Sequence, residues 1–189
     1  MTIYNKGLLR AMKAAYKDEG YDVALSDGYM IIQTKGWGVR MHTELVPNSV
    51  KSLIVLHNGS MPRKDSAVHV AKGECGDVFL DMVATFFEEL ANDYTASGGL
   101  AIKPTRLTFD GKRVWQLTDK LDVRLVDVDD QQIMLTLYGE KVNTQLIGNT
   151  IYSRLAYGAL FIHAEKGLPE DRHLMQHLSG MQWIPVEAE

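Results

Sequence analysis

The chain has 189 residues, a formal net charge of −4, and apolar residues at 46% of its positions. These values are typical of a soluble globular protein, and they exclude the collagen-like, low-complexity and disulfide-scaffold classes. The single cysteine cannot form an internal disulfide, so a cytoplasmic location is expected. The mild acidity argues against a nucleic-acid binder. Every apolar run is too short for a membrane span.

The first segment has apolar residues at helical spacing, which predicts a helix over residues 5 to 19. A meander of short strands is expected next, at 21–25, 29–35 and 39–45. Ser26-Asp27-Gly28 and Gly36-Trp37-Gly38 are the predicted turns of this meander. The apolar run at 52–57 predicts a central strand, and 67–70 predicts another short strand.

A long amphipathic helix is the clearest element, because apolar residues recur at helical spacing from about 77 to 94. Ser97-Gly98-Gly99 ends this helix. We expect a single domain over 1–189, with two structural halves, 1–97 and 100–189, as an alternative.

The second half repeats the pattern of strands and turns. Strands are expected at 101–109 and 112–117, which flank Asp110-Gly111, and at 121–125 and 133–138. Residues 149–165 predict a helix, with strands as the alternative. A last helix is predicted from Pro169 to Gly180, since proline favours the first turn and glycine the end.

Strands in runs joined by tight turns indicate an α+β fold, in which antiparallel sheet is segregated from helices. We expect one or two sheets built from two strand meanders, with the long helix packed on the sheet and helices at both ends. In the order of its elements, the first half resembles small acidic chaperone-like and immunity-like α+β domains.

Cys75 precedes the long predicted helix. A helix N-terminus stabilises a thiolate, so Cys75 is a candidate nucleophile, with His69 of the preceding strand as its base. The alternative is a small, half-buried loop residue without a chemical role. Glu74 and Asp77 favour this alternative, because their negative charges oppose a thiolate.

His173 and His177 are four residues apart on the last predicted helix and therefore share a face. Such a pair can bind a metal ion. The segment between them has no glutamate that would complete a zinc-protease motif. Two surface histidines are the preferred interpretation, and neither a metal nor a cofactor is predicted.

Arg40, His42 and Glu44 alternate with apolar residues along the third predicted strand, so they are expected on one face. This row is a candidate binding site for an anionic or polar ligand. A solvated sheet face is the alternative, because antiparallel sheets often have one.

The leading hypothesis is a non-enzymatic protein-interaction module: an inhibitor, an adaptor or a chaperone-like protein, from a phage or mobile element. Its partner is another protein or a second copy in a homodimer. Trp37, between two glycines, is the predicted exposed anchor. The alternatives are a small enzyme that uses Cys75 and His69 or a pocket around His42 and Glu44, and a small-ligand-binding domain. No nucleotide-binding, hydrolase or zinc-ribbon motif supports a more specific activity.

Overall fold

The computed structural model describes residues 5–97, 100–108, 112–118, 123–127, 130, 133, 144–155 and 157–167. The first part of the chain forms α1 (Lys6–Lys17), β1 (Tyr21–Ser26), β2 (Tyr29–Gln33), β3 (Trp37–His42), a 3-10 turn (Thr43–Leu45), α2 (Asn48–Asn58), β4 (Ser66–Ala71), β5 (Glu74–Val78) and α3 (Leu80–Ser97). The second part forms β6 (Leu100–Thr108), β7 (Arg113–Thr118), β8 (Val123–Asp127), β9 (Thr144–Ile147), β10 (Thr150–Leu155), β11 (Gly158–His163) and β12 (Glu165–Lys166).

The strands form one sheet in the order β12-β8-β7-β6-β9-β10-β11-β3-β2-β1-β4-β5. Every pairing between described strands is antiparallel, so the expected α+β class is confirmed. Near the middle of the sheet β3 pairs with β11, and Val39 lies opposite Leu160. This pair joins a strand of the first half of the chain to a strand of the second half.

The sheet has an apolar core on each face. On one face, α1 and α2 bury Leu8, Met12 and Ile54 against the sheet. On the other face, α3 buries Phe87 and Leu90. The face covered by α1 and α2 is called the first face below, and the face covered by α3 the second.

The central strands supply alternate residues to these two cores. In β10, Ile151 belongs to the core of the first face, whereas Tyr152 belongs to the core of the second. In β2, Ile32 and Ile31 divide in the same way. The side chains of a strand point alternately to its two sides, so an apolar run is needed where both faces are covered.

The predicted central strand at 52–57 is wrong, because these residues lie in α2. The helix buries Val50, Leu53 and Ile54, which have helical spacing, and leaves Leu56 exposed. It ends at Gly59, whose positive φ of 83° is the left-handed conformation that glycine adopts readily. Only part of the apolar run is therefore buried, on one side of a helix, and the rest is exposed.

Two other predicted elements differ from the structure. The third strand ends at His42, three residues earlier than expected, and the 3-10 turn follows it. Residues 149–165 do not form a helix. They form β10 and β11, as the alternative predicted, and the side chains of these strands are buried in the cores of both faces.

The long predicted helix is confirmed as α3, with a later start than expected. Glu74–Val78 is the edge strand β5, so residues 77 and 78, the expected start of the helix, belong to a strand instead. The predicted C-terminal helix and residues 134–138 of a predicted strand lie outside the described residues. Across the parts of the chain that the structure describes, no helix has the length and apolar character that a membrane crossing requires.

Candidate functional site

A groove of about 690 Å³ opens beside the hairpin of β1 and β2. Its lining combines the end of β1, the hairpin turn, the end of β3 and the 3-10 turn; it consists of Leu25, Ser26, Asp27, Gly28, Tyr29, His42, Thr43, Glu44, Leu45 and Lys64. The volume lies within the range of sites that hold a small molecule or a few side chains. Leu45 is 44% exposed at its edge, so an apolar side chain is accessible from solvent.

The walls of the groove are fixed by the turn and by one residue that binds it. Asp27 and Gly28 both have positive φ, 50° and 78°, which a tight hairpin turn between twisted strands requires. The backbone N–H and the hydroxyl of Thr43 each donate a hydrogen bond to the carbonyl of Gly28, at 2.8 Å. These bonds hold the 3-10 turn, and with it Glu44 and Leu45, against the hairpin.

Where the groove meets the second face, the side chain of Tyr29 contacts both Arg40 and His42. Tyr29 and His42 are opposite each other in the register of β2 and β3, with ring centroids 4.2 Å apart. The Cζ of Arg40 lies 4.1 Å from the centroid of the Tyr29 ring, which is a cation–π contact. The structure thus brings Arg40 and His42 together, as the sequence predicts, and adds Tyr29 between them.

Glu44 also lines the groove, but it lies on a different element from the strand on which it was predicted. It lies on the 3-10 turn, so it is not part of the strand row with Arg40 and His42. It joins Asp27 and Lys64 as the charged residues of the lining. Among the contacts of the described residues, neither Asp27 nor Glu44 forms an ion pair. The lining therefore combines an apolar surface with two carboxylates and one ammonium group.

Trp37 is buried, and the prediction of an exposed anchor at this position is wrong. The residue is 4% exposed and begins β3, where it lies opposite Ile162 of β11. The hydroxyl of Thr34 accepts hydrogen bonds from the backbone N–H groups of Gly36 and Trp37. This local turn directs the indole into the core of the first face.

Cys75 and His69 do not face each other. Cys75 is exposed on β5 and pairs with Val70, whereas His69 pairs with Gly76. Adjacent residues of a strand point to opposite faces, so the two side chains are on different sides of the sheet. The Nδ1 of His69 lies 2.8 Å from Oδ1 of Asp22. The pairing of a nucleophile with its base, which the sequence suggested, is absent from this geometry.

Cys75 lies beside an aromatic cluster of the first face instead. Its Sγ is 3.8 Å from the backbone carbonyl oxygen of His57. The ring of His57 stacks on Tyr16, and its Nδ1 lies 2.9 Å from the Tyr21 hydroxyl. Burial raises the pKa of Tyr21, with smaller contributions from the nearby Cys75 and Tyr16. The Tyr21 hydroxyl therefore stays protonated at neutral pH.

Sequence reasoning missed Leu25, Tyr29 and Leu45 as groove residues. The Asp27-Gly28 turn was a usable signal, because it places the end of β1 beside the start of β2. The sequence had no such signal for the position of Leu45, because the alternation of apolar and polar residues predicted that the third strand continues through it.

His173 and His177 lie outside the described residues. Among the residues whose structure is described, no group of three histidine, cysteine, aspartate or glutamate residues is placed to hold a metal ion.

No family model matches the chain, and no match to a curated protein is found. Its fold is similar to that of the DNA polymerase III β subunit of Thermotoga maritima, with 11% identity, a TM-score of 0.41, and coverage of 89% of this chain and 64% of that one. A putative DNA polymerase III β subunit from Eubacterium rectale gives 13% identity, a TM-score of 0.39, and 93% and 66% coverage. The sliding clamp of Bartonella birtlesii gives 9% identity, a TM-score of 0.30, and 89% and 63% coverage. The chain thus spans less than two thirds of the length of each of these proteins.

Proposed function

We propose that the chain is a cytoplasmic protein-interaction module that binds a segment of another protein in the groove between the β1–β2 hairpin and the 3-10 turn. The segment supplies one large apolar side chain and a neighbouring basic side chain. The observation that carries this proposal is the groove itself, in which accessible Leu45 lies beside Leu25 and the ring of Tyr29.

The apolar part of the groove supports an apolar anchor. Leu25 is partly buried and packs against the core, so this wall is rigid, whereas Leu45 is accessible from solvent. Covering such apolar surface gains about 25 cal/mol per Å² of area removed from water. A leucine or phenylalanine side chain of the partner would bury Leu45 and fill the space beside it.

The charges of the lining support a basic neighbour. Asp27 and Glu44 form no ion pair with another described residue, and they outnumber Lys64. A lysine or arginine next to the anchor would pair with one of these carboxylates. Complementary charge of this kind directs specificity and the rate of association more than affinity.

A displayed library of random short peptides tests the proposal. The wild-type chain is the bait in the selection. Peptides that also bind a Leu45→Asp variant are discarded, because they bind elsewhere on the chain. We expect selected peptides to share an apolar residue next to a lysine or arginine. A synthetic peptide from this set should bind the wild-type chain and lose at least about tenfold in affinity with Leu45→Asp.

Leu56→Asp is the matched control, because Leu56 is 77% exposed on α2 and is absent from the groove lining. Its affinity for the same peptide should equal that of the wild-type chain. The proposal is wrong if no peptide depends on Leu45, or if both variants weaken binding equally. Glu44→Gln separates the charge contribution, since it should reduce the preference for basic peptides while leaving apolar binding in place.

A further inference from the structure

Arg40 and Arg154 lie on the second face of the sheet, on either side of one strand. In the register, Ala159 of β11 pairs with Arg40 of β3 and with Arg154 of β10. Paired residues of antiparallel strands project to the same face. Neighbouring strands are about 4.8 Å apart, so the Cα atoms of the two arginines are about 10 Å apart. Ala159 between them carries only a methyl group, which is too short to separate two arginine side chains.

The guanidinium of Arg40 lies over the Tyr29 ring, and one of its donors has no partner among the described residues. Its Cζ is 4.1 Å from the centroid of that ring, in a cation–π contact rather than a hydrogen bond. Its Nε is buried and donates no hydrogen bond to any residue that the structure describes. A buried donor of this kind is normally satisfied, and an anion at the edge of the plane would accept its hydrogen bond.

Tyr152 connects the two arginines. It is 4% exposed and lies on the same face as Arg154, two residues away on β10. Burial raises the pKa of Tyr152, and the positive charges of both Arg40 and Arg154 act on its hydroxyl in the opposite direction. The hydroxyl of Tyr152 is therefore within electrostatic range of both arginines.

No carboxylate balances this pair in the part of the chain that is described. Neither Arg40 nor Arg154 takes part in an ion pair there, whereas Lys35 pairs with Glu19 elsewhere on the surface. Two positive charges near one another repel, and a negative group close to both offsets this repulsion. An arginine pair beside a tyrosine hydroxyl supplies the planar, forked donors that oxyanions accept.

We propose that Arg40 and Arg154, with the hydroxyl of Tyr152 beside them, bind the phosphoryl group of a small phosphate compound. A phosphoryl group carries a charge of roughly −2 at neutral pH and balances both arginines, whereas a carboxylate would balance only one. The rings of Tyr29 and His42 continue from Arg40 toward the groove. They provide an aromatic surface for the organic part of a phosphate monoester.

Calorimetric titration of the full chain with phenyl phosphate and with inorganic phosphate tests the site. We expect both to bind in low salt, because they share the phosphoryl group. Tighter binding of phenyl phosphate would identify an aromatic monoester as the source of that group, and equal affinities would identify free phosphate. Absence of binding by both compounds would overturn the proposal.

Variants distinguish the site from general attraction to positive charge. Arg154 is exposed, so Arg154→Gln is expected to fold normally and to weaken phenyl phosphate binding at least about tenfold. Arg154→Lys keeps the charge but loses the forked donors, and an intermediate affinity is expected. Arg63→Gln, in the exposed loop before β4, is the control and should bind as the wild-type chain does. Equal losses in Arg154→Gln and Arg63→Gln would contradict the proposal.

Arg40, Arg154 and Tyr152 are absent from the lining of the peptide groove, which shares only Tyr29 and His42 with this site. Inorganic phosphate does not use these two rings, so Leu45→Asp should remove peptide binding and leave inorganic phosphate binding unchanged, while Arg154→Gln should do the reverse. Failure of one proposal therefore leaves the other open to its own test.

Discussion

The rings of Tyr16 and His57 are stacked with their centroids 3.8 Å apart and their planes at 8°. Tyr16 belongs to α1 and His57 to the last turn of α2, so this contact joins the two helices of the first face. The hydroxyl of Tyr21, on β1, lies 2.9 Å from His57 Nδ1 and connects the same ring to the sheet. The side chain of His57 thus links the two helices of the first face to the sheet.

Stability should fall in mild acid because of His57. Burial lowers its pKa below the ordinary value of 6.5, and the positive charge of Lys13 lowers it further. Above pH 6.5 the histidine is neutral in both the folded and the unfolded state, and its contribution to the free energy of unfolding is fully present. As the pH falls from 6.5 through the lower folded value, the unfolded chain binds more protons and stability is lost. Urea unfolding between about pH 8 and about pH 5 measures this loss.

His57→Phe should flatten this pH dependence, since phenylalanine keeps a ring against Tyr16 and does not titrate. It should also cost about 1 kcal/mol at neutral pH, because the Tyr21 hydroxyl loses its partner. Burial lowers the pKa of His163 as well. A smaller dependence of the free energy of unfolding on pH should therefore remain in His57→Phe. His163→Asn is the control, and the two variants should reduce the slope additively. An unchanged slope in His57→Phe would disprove the assignment.

Trp37→Ala should destabilise the protein strongly. The indole is 4% exposed in the core of the first face, and deletion of a buried tryptophan side chain costs about 3–5 kcal/mol. Urea unfolding should show this loss, together with a lower melting temperature. Leu56→Ala is the control, since Leu56 is 77% exposed and its truncation should change stability by less than about 0.5 kcal/mol. Similar stabilities for the two variants would contradict the burial of Trp37.

Gly158→Ala should also be destabilising, for a steric reason. A Cβ at Gly158 would overlap the backbone carbonyl oxygen of Arg40 across the β11–β3 pair, and a backbone atom cannot rotate away. Overpacking of this kind costs about 1–3 kcal/mol. Gly76→Ala is the matched control on β5, because a Cβ there meets nothing within 4 Å. If Gly158→Ala unfolds at the same urea concentration as Gly76→Ala, the close approach of β11 to β3 is disproved.

Cys75 should react with iodoacetamide at the rate of a small-molecule thiol. It is exposed, but His69 lies on the other side of the sheet and is engaged with Asp22. His69→Ala should therefore leave the alkylation rate at pH 7 unchanged. A rate well above that of a small-molecule thiol, together with a decrease in His69→Ala, would restore the catalytic pair that the sequence suggested.

The first hairpin and the long helix were predictable because local signals specify them. Asp27-Gly28 adopts the positive φ values of a tight turn, and the apolar spacing after residue 80 matches the buried side of α3. The helix α2 was not predictable from its apolar run alone. Only the packing of the run against α1 and the sheet shows that Leu56 is exposed while Ile54 is buried. Flanking Pro47 and Gly59 were the available signals for a helix.

The candidate site was predictable in part. Alternation along β3 correctly places Arg40 and His42 on one face, where Tyr29 joins them. It cannot show where the strand ends, so the position of Glu44 on a separate turn was missed. Trp37 between two glycines is typical of an exposed turn, yet pairing with distant Ile162 makes it the start of a central strand. A contact so remote in the chain leaves no local pattern in the sequence.

The pairing of β3 with β11 has a consequence for synthesis on the ribosome. The segment from α1 to β5 emerges first, and in it β3 is an open edge beside β2, because its second neighbour has not yet been translated. An unpaired edge exposes backbone donors and acceptors to other nascent chains. Translation must reach residue 163 before this edge is closed. During that interval we expect this edge to be open to pairing with another chain.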